Sequence, residues 1–115
     1  MKQYVNVLGD IFPMPTAAVL KDIGAERKAQ DEKFPDQNIP DGTNHRLTGA
    51  ADMARVICDE CSAVGTLTWR DVLAEEVAEA FATEDLLELR KELIQVAAVA
   101  ARWAESIDNR RVGLE

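Results

Sequence analysis

Aromatic residues are scarce in this 115-residue chain, at 5% of the sequence, although apolar residues together reach 47%. The apolar excess is largely alanine, the strongest intrinsic helix former, so the composition favours helices and weighs against a β-sandwich. Basic residues are also few: thirteen Lys and Arg against twenty-one Asp and Glu give a net charge of −8 and a pI near 4.6. Such a surface repels polyanions, which excludes nucleic acid as a natural partner. A nucleotide stays admissible, because divalent metal held by carboxylates neutralises phosphates locally.

Long hydrophobic runs are missing as well. The longest, Val96 to Ala101, is too short to span a bilayer, and Lys2, Asn6 and Asp10 interrupt the first dozen residues where a signal peptide would be apolar. A cytoplasmic protein without membrane association is expected. Cysteine is limited to Cys58 and Cys61, and His45 is the only histidine. Without a second Cys pair the Cys-Asp-Glu-Cys spacing lacks a zinc ligand set, and on a helix it places two small side chains near one face.

One compact domain is the limit for a chain of this length, which buries roughly two thirds of its unfolded surface. Gly9, Pro13 and Pro15 punctuate residues 1–15, predicting an irregular leader. A first helix is predicted from Thr16, with Val19, Leu20, Ile23 and Arg27 at helical spacing, ending before Pro35. Residues 35–44 are dense in turn formers and read as a binding loop or lid. A second helix is predicted over 47–64, with Ala51, Ala54, Ile57, Cys58, Cys61 and Val64 on one side and Gly65 ending it. Thr68 is the expected N-cap of a third helix reaching about Ala82, with Asp71 in its first turn. Thr83-Glu84-Asp85 then makes a turn into a fourth helix from Leu86 to about Ile107. The expected architecture is an all-α, four-helix bundle over 16–110, with residues 111–115 as a tail.

Two helices carry carboxylates where the hydrophobic period calls for apolar residues. On the third, Trp69, Val72, Leu73, Val77, Ala80 and Phe81 share a broad arc, and Glu76 falls inside it with Glu79 at its edge; Glu75 points further towards solvent. On the fourth, Leu89, Leu93, Val96, Ala100, Trp103 and Ile107 form the expected core stripe, with Glu92 beside it and Gln95 one turn on. Antiparallel helices joined by a tight turn bring Glu76 and Glu79 towards Glu92 and Gln95, an oxygen-rich set suited to magnesium or manganese. Periodicity alone does not separate such a site from a solvated acidic face neutralised by Arg90, Lys91 or Arg102.

At these residues the chain resembles the MazG-like, all-α nucleoside triphosphate pyrophosphohydrolases, whose signature is Glu-Glu-x-x-Glu followed by Glu-x-x-Asp. Glu75-Glu76-Val77-Ala78-Glu79 matches the first half, and Glu92-Leu93-Ile94-Gln95 the second, with glutamine in place of the usual aspartate. The likeness extends to Glu26 through Phe34, to Gln37-Asn38-Ile39-Pro40-Asp41 and to Thr68 through Leu73, covering roughly residues 20–110.

The resemblance implies a magnesium-dependent (alternatively manganese-dependent) hydrolase that cleaves the α–β linkage of a nucleoside triphosphate and releases monophosphate and pyrophosphate, for nucleotide-pool control or removal of aberrant nucleotides. By the same resemblance Glu76, Glu79, Glu92 and Gln95 hold the metal, and Glu75 or Glu79 orients or deprotonates the attacking water. Gln30, Lys33 and Phe34 are the candidates for nucleotide contact through an amide, an ammonium and a ring. A homodimer or homotetramer is implied, in keeping with the run Ile94 to Ala101, apolar on nearly all sides apart from Gln95. The alternative is a non-catalytic helical interaction protein that binds nucleotide or metal without turnover; an acidic helical adaptor without a nucleotide site is a third reading.

Overall fold

The computed structural model describes residues 2–112, with side chains over 7–111. Among them there is no strand: the order is α1 (Lys2–Ile11), α2 (Met14–Lys33), a 3₁₀ turn (His45–Leu47), α3 (Thr48–Val64), α4 (Trp69–Phe81) and α5 (Leu86–Val112). None of these helices is long and apolar enough to cross a membrane. The chain forms two compact units, one from Met1–Pro40 with Ala101–Glu115, the other from Asp41–Ala100.

In the first unit, the stretch expected to be an irregular leader holds α1, which packs against α2. Gly9 weakens a helix without ending it, and the prolines fall where they do no harm. Phe12 still donates its N–H to Leu8 O at 2.9 Å, Pro13 caps α2, and Pro15 sits in the first turn of α2, where backbone N–H groups have no helical acceptor. Thus the two prolines mark a junction between helices, and five helices replace the expected four. Ala17, Val19 and Ala101 are buried here, and Thr16 Oγ1 donates to Glu105 Oε1 at 2.6 Å. From Lys21 to Gly42 every residue is exposed, as the narrow apolar face and polar end of α2 predict.

The second unit is built on local signals that the sequence displays. Gly65 ends α3 in the left-handed region at φ 76°, a conformation glycine adopts without a Cβ penalty, and Thr66 N–H bonds Cys61 O at 2.8 Å. Thr68 and Asp71 form a reciprocal capping box at the start of α4, in which Asp71 N–H donates to Thr68 Oγ1 at 3.2 Å and Thr68 N–H to Asp71 Oδ2 at 3.1 Å. Asp85 accepts from Glu88 N–H at 3.0 Å and starts α5 after a short turn. Thr68→Ala is expected to cost about 1 kcal/mol, read as a lower midpoint in urea denaturation. Asp71, whose carboxyl is held below the usual range by the Thr68 hydroxyl and then by the Thr68 N–H, contributes stability above 3.8 that is lost as pH falls through its folded value.

Ala51, Cys58, Ala80 and Leu89 are the buried residues of this unit. Several positions expected in core stripes are not covered: Ile57 and Val64 on α3, Phe81 on α4 and Leu93 on α5 are exposed, as is Ala100. In the first unit, Ile107 is exposed and Trp103 only partly buried. The buried positions are mostly small residues, Ala17, Ala51, Cys58, Ala80 and Ala101, with Val19 and Leu89 the larger exceptions.

Candidate metal centre

Glu76 and Glu79 lie one turn apart on α4, and Glu92 lies in the second turn of α5, brought alongside by the Thr83–Asp85 connection. Thr83 Oγ1 donates to Glu79 O at 2.7 Å, and Asp85 fixes the start of α5, so both ends of that connection are tied by short-range bonds. One carboxylate oxygen from each of Glu76, Glu79 and Glu92 lies within 4.8 Å of the others, a separation that a single cation can bridge.

The electrostatics of this cluster are unfavourable as it stands. Glu76 Oε2 and Glu92 Oε2 are both buried without a hydrogen-bond partner, and an unpaired buried carboxylate oxygen is costly. Burial, followed by the charges of Glu79, Glu92 and Glu75, pushes the Glu76 carboxyl above its ordinary value. Burial also leads for Glu92, with the Glu79 charge and a contact to the Glu79 carboxyl adding to it and Lys91 opposing. Both carboxyls are thus harder to ionise than an ordinary glutamate.

Arg55 of α3 supplies positive charge here, and the sequence reading did not single it out. Its guanidinium reaches Glu79 Oε1 at 3.5 Å and Glu75 Oε1 at 4.0 Å across the α3–α4 contact, and Asp52 on its own helix at 3.4 Å. A signal for it existed: Arg55 stands four residues after Ala51 and three before Cys58, a cation in line with the two buried positions of α3. The four glutamates therefore differ in setting. Glu75 and Glu79 are each ion-paired with 22% and 23% of their side-chain surface exposed, whereas Glu76 and Glu92 carry the orphaned oxygens.

No family model, curated protein or solved structure matches this chain. What the site can do rests on its own geometry.

Cys58 sits beneath this face, its thiol donating to Asp71 O at 3.1 Å and pinning α3 to α4. Burial, followed by the neighbouring Glu75 carboxylate and the charges of Asp71 and Asp59, raises the thiol to about 11, so it stays protonated and serves packing. Both cysteines are free. Gln95 is exposed on α5 and lines a groove with Leu87, Glu88, Arg90, Lys91 and Ile94.

The residues expected on the nucleotide side belong to the first unit, at the end of α2. Lys33 and Phe34 line an open depression of about 380 Å³ with Pro35, Asp36 and Gln37, and Lys33 Nζ lies 5.4 Å from the Phe34 ring centroid. Gln30 is engaged locally, its Oε1 accepting from Arg27 Nη1 at 2.9 Å. The segment expected as a binding loop is irregular and, from Pro35 to Gly42, exposed; at its far end Asn44 N–H donates to Phe81 O at 2.9 Å and His45 Nδ1 pairs with Glu84 Oε2 at 2.8 Å, fastening it to the α4–α5 turn.

Proposed function

We propose that this protein is a metal-dependent nucleoside triphosphate pyrophosphohydrolase, with Glu76, Glu79 and Glu92 holding magnesium or manganese. The observation that carries the reading is the convergence of three carboxylates from two helices, two of them with a buried and unpartnered oxygen. An all-oxygen donor set fits a hard divalent cation, and such a cation relieves the desolvation and mutual repulsion that raise Glu76 and Glu92. The glutamate pattern on which the chain resembles MazG-like enzymes supports the same assignment.

When bound, the metal would neutralise the phosphates and activate water for attack at the α–β linkage. The protein's own contribution is placement. Glu76 and Glu79 on α4 and Glu92 on α5 would hold the ion, and Gln95 offers a neutral amide oxygen from the following turn of α5. Glu75, ion-paired with Arg55 and adjacent to Glu76, or Glu79 accepts the proton of the attacking water.

The exposed apolar residues on the first turns of α5, Leu86, Leu87, Leu93 and Ile94, support a homodimer or homotetramer, in which a second copy covers them. The cytoplasm is the proposed location.

Release of pyrophosphate and monophosphate from a panel of ribo- and deoxynucleoside triphosphates, with magnesium, manganese or chelator, tests the function. Metal-dependent release is expected. Metal binding without release would favour the alternative, a helical protein that binds nucleotide or metal without turnover. Gln95→Asp adds a charged ligand where the family pattern has aspartate and is expected to preserve or tighten metal binding; clearly weaker binding in calorimetry would remove Gln95 from the metal's surroundings.

A further inference from the structure

We propose that Arg55 is a positioning residue for the metal centre: its guanidinium bridges Glu75 and Glu79 and holds the Glu79 carboxylate in the orientation a bound cation needs. This rests on the metal-site reading above. The bridging geometry is specific to the fold, because Glu75 and Glu79 are one helical turn apart on α4 and Arg55 reaches both from α3. Asp52, one turn back on α3, holds the guanidinium from its other side at 3.4 Å. The planar fork of arginine meets several acceptors at once, which the single ammonium of lysine does not.

The sharing of Glu79 gives Arg55 its leverage. Glu79 meets Arg55 through Oε1 and also belongs to the cluster with Glu76 and Glu92. A carboxylate has two oxygens, so one can stay with the guanidinium while the other faces a cation. Without Arg55, Glu79 is a partly exposed side chain next to two further carboxylates, free to rotate away from their repulsion. Two effects of Arg55 oppose each other on metal affinity: it orders a ligand, and it repels a second positive charge. Because 52% of the Arg55 side chain is exposed, water screens the repulsion. Ordering of the ligand therefore prevails, as for other groups that orient metal ligands.

The test is titration of the 115-residue chain with manganese, followed by electron paramagnetic resonance, for the wild type, Arg55→Gln and Arg55→Lys. Folding of each metal-free variant is checked by helical circular dichroism. Arg55→Gln is expected to weaken manganese binding by roughly 10-fold or more, and Arg55→Lys, keeping the charge but not the fork, to fall between it and the wild type. A residue that only supported packing would lower the melting temperature and leave manganese affinity unchanged. Unchanged or tighter binding in a folded Arg55→Gln overturns the assignment. Should that variant not fold, Arg55→Lys decides: measurably weaker binding sustains the assignment, and wild-type or tighter affinity overturns it. If the wild-type chain itself binds no manganese, the metal centre is lost together with the role of Arg55, an outcome distinct from the preceding ones.

Discussion

Glu79→Gln is expected to lower metal-dependent pyrophosphate release by more than roughly 100-fold, the upper end of what loss of an outer-shell partner does to a metal site, while leaving the helices intact. Glu79 has three connections at once: to the Glu76 and Glu92 cluster, to Arg55, and by its backbone carbonyl to the Thr83 hydroxyl. Glutamine preserves the side-chain volume and the backbone bond, so α4 and the start of the connection to α5 are retained. What is lost is the negative charge that a hard cation requires and the charge-assisted pairing with Arg55. Steady-state release at saturating magnesium, alongside a thermal melt of the same preparation, measures both halves. Wild-type turnover in the folded variant would remove Glu79 from the chemistry.

Acidifying the metal-free protein from neutrality towards 4.5, the ordinary glutamate value, is expected to raise its Tm. Glu76 and Glu92 have folded-state values above that of an unfolded glutamate. The folded chain therefore takes up protons first as pH falls. The stability linked to these two groups is fully present below 4.5 and is lost as pH rises through their raised folded values. Asp71 acts with the opposite sign, but in a window below 3.8.

The overall charge of −8 also favours compaction on acidification, so the local contribution is isolated with Glu92→Gln. That variant is expected to melt higher than the wild type at neutral pH without metal and to show a flatter pH dependence. Saturating magnesium is expected to flatten the wild-type profile in the same way, because it stabilises the ionised carboxylates. A Glu92→Gln variant that melts lower than the wild type at neutral pH would show that the crowding does not strain the fold. Together with Glu79→Gln, this describes a site whose carboxylates cost stability and serve function.

Much of the fold is legible in the residues themselves. Pro35, Gly65, Thr68 and Asp85 stop or start helices by local rules, and the structure places helix ends at these signals. The same rules misread the N-terminus, because Pro13 and Pro15 as plainly permit a helix to begin as they forbid one to continue. The displaced glutamates were also visible, since a hydrophobic period exposes any charge that interrupts it, and among the described residues Glu76 and Glu92 carry the buried oxygens without a partner.

Sequence by itself determined the all-helical class, the boundaries set by caps and breakers, and the presence of Glu76, Glu79 and Glu92 on two successive helices, because these follow from intrinsic propensity and a 3.6-residue period. Only the tertiary structure decided that one oxygen from each of these glutamates lies within 4.8 Å of the others, that Arg55 crosses from α3 to pair with Glu75 and Glu79, and that Leu93 and Phe81 stay exposed while Ala80 and Leu89 are buried. The period of a helix gives the direction of a side chain about its own axis. Which neighbour fills that direction depends on how helices distant in sequence pack, which no local period specifies.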